Sequence, residues 1–262
     1  MSGKEGGTLS KFLPSLEGGD RGWVSRNYIN IFSLFLKKSS RKELKIMKSV
    51  KENEIQVSAE HYFKDYNSPE RFVSYFYQIK LIEELNPQNI LEIGIGNGIV
   101  SSYLKWRNFN ITTCDFDPAL EPDCLADIRN LPFEENSFDV IAVYEVLEHL
   151  PFEDFDRILE ELYKISKKNI IISLPVSSVF FKIIVESNAF KIIFKNSFFS
   201  FLFSIPQFFR KHVFNGEHYW EMGKKSYSYA KIKKHLQKKF RIIKEFRPEF
   251  NSYHYFFVLE KR

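Results

Sequence analysis

The sequence predicts an α/β fold with a doubly wound, mostly parallel sheet. Three observations lead there. Short apolar runs alternate with helical stretches from residue 89 onward, a glycine-rich turn follows the first run, and the chain ends in two strand-like runs with no room for a crossover helix between them. Strands are expected over residues 89–93, 111–114, 138–143 and 169–174, and helices over 100–106 and 155–166, the alternation that builds parallel strands with right-handed crossovers. The runs at 241–246 and 254–259 are separated only by Arg247-Pro248-Glu249-Phe250-Asn251, so they pair antiparallel at a sheet edge. Ahead of the sheet, Ser68-Pro69 opens a helix whose apolar positions are Phe72, Tyr75, Phe76, Ile79 and Leu81 or Ile82, and Asn86-Pro87 closes it. There is no internal repeat.

Composition limits the function classes. The chain has 262 residues, 44% hydrophobic and 27% charged, as in a globular protein with one substantial core. A net charge of +5 is too mild to imply nucleic acid by itself. The late lysines, Lys224, Lys225, Lys231, Lys233, Lys234, Lys238 and Lys239, read as a solvated helix face. The 28 Phe and 13 Tyr exceed what an average core uses. Cys114 and Cys124, with no metal-ligand spacing around them, fit a reducing compartment and a cytoplasmic location, and no metal is expected. Residues 1–20 read as a disordered lead without a signal peptide, and residues 23–36, followed by Lys37, Lys38, Arg41 and Lys42, suit a short amphipathic helix. The apolar stretch 196–205 is half the ~20 residues needed to cross a bilayer.

Four motifs follow one another in the alternating region. Glu92-Ile93-Gly94-Ile95-Gly96-Asn97-Gly98 lies where a strand passes into a helix, so its glycines can turn tightly and let main-chain N–H groups approach a ligand. The dinucleotide fingerprint wants glycine where Ile99 stands, which argues against hydride chemistry. Asp115-Phe116-Asp117 ends the second strand. Its first carboxylate would lie beside the glycine loop, able to accept from two ribose hydroxyls, whereas Asp117, before Pro118, starts a turn. Asp127 and Ile128 stand at the tip of the third strand, a carboxylate for an adenine amino group and an apolar side for its ring. Asp139 initiates the fourth strand, and Tyr144-Glu145-Val146-Leu147-Glu148-His149-Leu150 puts a polar cluster at the end where open α/β sheets bind ligands.

Together, from about residue 90 to 175, these motifs resemble the class I methyltransferases of the small-molecule type (methyltransferase type 11/12-like), with E-x-G-x-G-x-G, D-x-R-x-LPF-x-x-x-SFD and VLEHL signatures. The resemblance implies a Rossmann-like, mostly parallel seven-stranded sheet with an antiparallel last strand, and S-adenosylmethionine as cofactor. It maps Glu92, Gly94, Gly96, Asp115, Asp127 and Ile128 to the cofactor and Glu145 to the region facing the sulfonium, and Gly98, Phe116 and Tyr144, in or beside the same motifs, are further cofactor-site candidates. The segment 216–221 and the ending 253–259 resemble uncharacterised bacterial members often associated with surface-polysaccharide genes.

On this reading, residues 1–67 form a flexible lead and helical N-terminal extension, and 68–262 a methyltransferase domain with a Phe-rich lid insertion at about 176–225. Methyl transfer is an in-line displacement that needs alignment and exclusion of water. If the acceptor atom is oxygen, as expected, a base helps, and His149, His218, Glu145 and Glu148 fall near the strand tips. In the insertion, Phe190, Phe194, Phe198 and Phe201 recur at helical spacing with Lys182, Lys191, Lys195, Arg210 and Lys211 beside the apolar residues. Packing within the lid is the simpler reading, and peripheral contact with the inner membrane surface the sharper one. The expected acceptor is a small molecule, glycan or lipid-linked compound. Two alternatives stay open, a cofactor-binding protein without turnover and an RNA methyltransferase. Against the second, Glu145-Val146-Leu147-Glu148 stands where base-amino enzymes often carry an Asn/Asp-Pro-Pro-Tyr/Phe motif.

Overall fold

The computed structural model describes residues 56–64, 66–194 and 198–262. The lead at 1–20, the amphipathic helix at 23–36 and Lys195 lie outside the described residues. After the short helix α1 (Ala59–Lys64), helix α2 (Pro69–Leu85) is set by its ends: the Ser68 side chain accepts from the Arg71 N–H, and Asn86 closes the helix in the left-handed conformation. Its buried face is Ser74, Tyr75, Gln78, Leu81 and Ile82, whereas Phe72 and Phe76 are exposed. Apolar spacing alone misplaced that stripe because two polar residues bury with partners. Ser74 Oγ lies 2.7 Å from His254 Nδ1, and Gln78 Nε2 donates to Ser74 Oγ at 3.3 Å.

The sheet follows: β1 (Asn89–Ile93), α3 (Ile99–Trp106), β2 (Asn110–Asp115), β3 (Cys124–Leu125), β4 (Phe138–Tyr144), α4 (Phe155–Ile165) and β5 (Ser166–Pro175). These strands pair in parallel. Later in the chain, α6 (Tyr229–Leu236) leads to β8 (Phe240–Phe246) and β9 (His254–Lys261), and β9 enters antiparallel between β5 and β8. The result is a seven-stranded sheet in the order β3-β2-β1-β4-β5-β9-β8, with β9 as the reversed strand. Both faces are covered. Ile141 and Val143 of β4 bury toward the α4 and α6 side, and Val140, Ala142 and Tyr144 toward the α2 and α3 side, so the strand reads as a continuous apolar run. Asp139, second in β4, accepts from the main-chain N–H groups of Gln88 and Asn89, tying the start of β4 to the start of β1. Cys114 and Cys124 are register partners on β2 and β3, and both are free thiols.

The Phe-rich insertion is a correction to the sequence reading. It forms an antiparallel hairpin, β6 (Ser178–Glu186) and β7 (Phe198–Pro206), with α5 (Asn188–Phe194) between the strands, so Phe198 and Phe201 belong to a strand. Period two won over helical spacing because aromatic and β-branched residues alternate with Ser200 and Ser204. One face of the hairpin is wholly apolar: Val179 pairs with Ile205, Phe181 with Phe203, Ile183 with Phe201, and Val185 with Phe199. All eight are between 45% and 64% exposed. The opposite face meets the domain, where Arg247 donates to Ser178 and Ser204 and Lys182 to the Pro248 carbonyl. Among the described residues no helix is long and apolar enough to cross a membrane. Several late lysines are paired with acids, Lys224 with Glu221, Lys233 with Glu245, Lys238 with Asp156 and Lys239 with Glu160, in keeping with a solvated face.

Candidate functional site: a cavity at the strand tips

At the end of β1 the chain turns sharply, with Gly94, Gly96 and Gly98 at φ of +81°, +51° and +70°. Gly94 cannot be replaced without cost, since a Cβ there would stand 2.2 Å from Val146 Cγ2. Its N–H donates to the Cys114 carbonyl, and the Gly98 N–H to the Ile95 carbonyl, closing the turn onto α3.

Asp115, at the tip of β2, organises this loop from the side. One carboxylate oxygen accepts from the Ile95 N–H and the other from the Asp117 N–H, both at 3.0 Å, leaving lone pairs on each. Burial raises its pKa, and the main-chain N–H groups partly offset the rise. Asp117 caps a single helical turn by accepting from the Ala119 N–H, as its place before Pro118 implied. Glu92, near the end of β1, is buried with Oε2 unpartnered, and burial lifts its pKa to about 8. Asp127 follows β3 and is engaged by Arg129 through main chain and guanidinium, with the buried Ile128 beside it.

The end of β4 carries the densest chemistry. Tyr144 is buried and donates to the Gln78 carbonyl at 3.3 Å. Glu145 follows in the left-handed conformation, φ +53°, a strained position for a non-glycine residue. Its Oε2 lies 3.3 Å from His254 Nε2, and its Oε1 is buried without a partner. Burial raises the Glu145 pKa to about 7 and lowers that of His254 to about 3, so near neutral pH the imidazole is uncharged and a substantial share of Glu145 is ionised and able to accept a proton. The next turn, Leu147–His149, buries Glu148 completely, with both carboxylate oxygens unpartnered. Burial pushes the Glu148 carboxyl well above the usual range. His149 Nδ1 lies 3.0 Å from the Glu217 carbonyl, and burial lowers the pKa of this imidazole to about 4. His218, distant in sequence, lies alongside it, with ring centroids 4.9 Å apart.

These segments meet in one cavity of about 550 Å³. Its wall includes Glu92, Gly94, Gly96, Asp115, Phe116, Asp127, Ile128, Tyr144, Glu145 and His149; Gly98 and His218 are not part of it, His218 standing edge to face with His149. The Phe-rich insertion reaches this wall through Phe214, Gly216 and Tyr219, and no residue of β6 or β7 lines it. Sequence reading missed the side contributed from before the sheet, by Gln56, Tyr62, Tyr66 and Arg71. The Arg71 guanidinium stacks over the Tyr66 ring at 4.0 Å and forms no ion pair among the described residues. No motif marks these positions. The only local signal is the run of rings His61, Tyr62, Phe63 and Tyr66 just ahead of Ser68.

Sheet order, reversed β9, left-handed glycine turn and carboxylates at successive strand tips define the class: a Rossmann-like methyltransferase fold of class I, the S-adenosylmethionine-dependent kind. Residues 91–174, from β1 through β5, match the methyltransferase domain family, and this segment is a methyltransferase domain. Two of the many solved structures that share the fold illustrate it. The N-methyltransferase NodS from Bradyrhizobium japonicum WM9, in complex with S-adenosyl-L-homocysteine, is 13% identical with a TM-score of 0.51, over 80% of this chain and 99% of that one. The magnesium protoporphyrin IX methyltransferase ChlM from Synechocystis PCC 6803, with the same product bound, is also 13% identical with a TM-score of 0.51, over 78% and 92%. No curated protein sequence matches the chain.

Proposed function

We propose that the protein transfers the methyl group of S-adenosylmethionine to an oxygen of a small-molecule, glycan or lipid-linked acceptor. The observation that carries this reading is Asp115, a buried carboxylate that braces the left-handed glycine loop in the same cavity wall as Glu145 and His149. When bound, the cofactor supplies an electrophilic methyl carbon on a sulfonium. The chain's own residues fit it: the left-handed turn exposes main chain, Asp115 keeps lone pairs for ribose hydroxyls, Ile128 offers an apolar side to the adenine, and Arg71, stacked on Tyr66 and beside His254, is a cation with no acid paired to it among the described residues. Asp127 would receive the adenine amino group alongside Arg129, which holds its carboxylate in place. The cavity wall would hold the partners in line. Glu145, with one unpartnered oxygen in the wall, takes the acceptor proton. The test is calorimetry with S-adenosylhomocysteine, followed by incubation with methyl-labelled cofactor and fractionated cell extract. Micromolar binding and label in a small-molecule or lipid fraction support the reading. Binding without label in any fraction would leave a non-catalytic binder, and label in RNA would redirect the substrate class.

The apolar face of the β6–β7 hairpin favours a second property, peripheral membrane contact. Four cross-strand pairs of exposed apolar side chains form one patch, and patches of this kind mark interaction surfaces. Cosedimentation with anionic and neutral liposomes at low and high salt checks it. The parent protein should pellet, and Phe201→Thr/Phe203→Thr, which keeps β propensity, should pellet several-fold less. Equal pelleting of the two would remove the hairpin from any membrane role.

A further inference from the structure

Behind His149 the chain builds a second constellation. One ligand atom from each of Glu148, His149 and His218 lies within 4.8 Å of the other two. Three hydrogen bonds lash the late loop to this turn: the Tyr219 N–H donates to the Glu148 carbonyl at 2.8 Å, Trp220 Nε1 to the Leu150 carbonyl at 3.1 Å, and His149 Nδ1 to the Glu217 carbonyl at 3.0 Å. The proximity of His218 is therefore held by backbone on both sides. The protons on the rings are also fixed. A carbonyl only accepts, so His149 carries its hydrogen on Nδ1. His218 Nδ1 faces the Glu221 carboxylate at 3.3 Å and donates likewise. Each Nε2 is left with a bare lone pair. This is the outer-shell arrangement that orients imidazoles toward metals. The Glu148 carboxylate, completely buried with neither oxygen partnered, supplies the anionic ligand.

We propose that Glu148, His149 and His218 bind a divalent first-row transition ion such as zinc or manganese, at the wall of the methyl-transfer cavity. Two imidazoles favour such an ion over magnesium or calcium, which prefer all-oxygen sets. Donors on bonds of ~2.1 Å stand roughly 3.4 Å apart in a tetrahedral site, so the present spacing closes by about 1 Å when the ion enters. Three protein ligands leave coordination positions open, the arrangement of sites that act on a substrate. His149 also lines the cavity, which puts the ion beside the cavity wall. This assignment rests on the methyltransferase reading for its purpose and sharpens it: the acceptor carries a hydroxyl oxygen, or two adjacent ones, that the ion holds. Reaction then forms the bond from that oxygen to the methyl carbon, returns the carbon–sulfur electron pair to sulfur, and passes the hydroxyl proton to Glu145.

The test uses the full-length protein, stripped with chelator and titrated with Co2+ and Zn2+, with S-adenosylhomocysteine calorimetry run on the same samples. One equivalent should bind, with the visible absorption of a low-coordinate cobalt site. Glu148→Gln and His218→Asn should each weaken binding by ~100-fold or more, and Glu221→Gln, which frees the His218 ring, by ~10–100-fold. Affinity for S-adenosylhomocysteine should stay within a few-fold in all three, which also reports that they fold. Absence of stoichiometric binding, or binding unchanged in both ligand variants, overturns the site. Metal binding without S-adenosylhomocysteine binding would keep the site and sink the proposed function.

Discussion

Gly94→Ala asks the most of the glycine turn with the fewest atoms. The added methyl group meets two separable costs. At φ +81° an L-residue costs ~1–2 kcal/mol relative to glycine. In addition, its Cβ stands 2.2 Å from Val146 Cγ2, an overlap that forces side chain or backbone to move at a cost of ~1–3 kcal/mol. The sum, ~2–5 kcal/mol, corresponds to a fall in Tm of roughly 5–20 °C for a domain of this size. Val146→Ala in the same chain removes the overlap and leaves the dihedral cost, so the double variant should recover part of the loss, a coupling of ~1–3 kcal/mol. Because Val146 lies one residue past Glu145, the push also displaces the end of β4, and affinity for S-adenosylhomocysteine should fall with stability. Thermal unfolding followed by circular dichroism, with calorimetry on each variant, measures both. A Gly94→Ala protein melting within ~2 °C of the parent and binding unchanged would refute the reasoning, and a strictly additive double variant would refute the steric half of it.

Two further outcomes are expected. Asp115→Ala should weaken binding of S-adenosylmethionine or its product by ~1.5–3 kcal/mol, about 10–150-fold, because a charged acceptor is lost, and unchanged calorimetric affinity in a folded variant would remove the residue from the site. Glu92 holds its proton in the folded state up to about pH 8, whereas the unfolded chain releases it near 4.5. Between those values the folded protein binds more protons than the unfolded one, so stability falls as pH rises, by at most ~1.4 kcal/mol per pH unit from this group. Glu92→Gln should flatten the slope in urea titrations from pH 5 to 8, and a slope unchanged by the substitution would show that Glu92 titrates normally.

The central sheet was legible because its elements announce themselves locally. Strand β4 is apolar at every position but Asp139, and glycines, Asp115 and Asp127 stand at strand tips, where sequence order and spatial order coincide in a doubly wound sheet. Two parts were not legible, for different physical reasons. In the hairpin, both periods fit the same phenylalanines; the serines at 200 and 204 decide for the strand, because they face Arg247 and Glu249, partners far along the chain. In α2, Ser74 and Gln78 take buried positions that their polarity argues against, and only His254, on the last strand, explains them. The cavity wall from Gln56 to Arg71 has no pattern because its residues are held by contact with a site assembled elsewhere. Of the proposed ligand cluster, all three members were legible as candidates near the strand tips, but not their meeting, since His218 arrives from another loop than Glu148-His149.

Three of the places where this fold pays in stability are places where the sequence points to chemistry. Glu92, Glu145 and Glu148 each bury at least one carboxylate oxygen without a partner, and Glu145 also holds a left-handed backbone. A buried polar atom left unpaired costs ~1–3 kcal/mol, and native structures keep few of them. All three lie along the edge formed by the tips of β1 and β4, within or directly behind the cavity wall, and not scattered through the two cores. That placement is what a protein built to be completed by ligands requires, since groups that satisfy these oxygens bind the folded chain and not the unfolded one, and raise its stability by mass action. S-adenosylhomocysteine and the metal ion would satisfy different members of the edge, so each should raise Tm in the absence of the other.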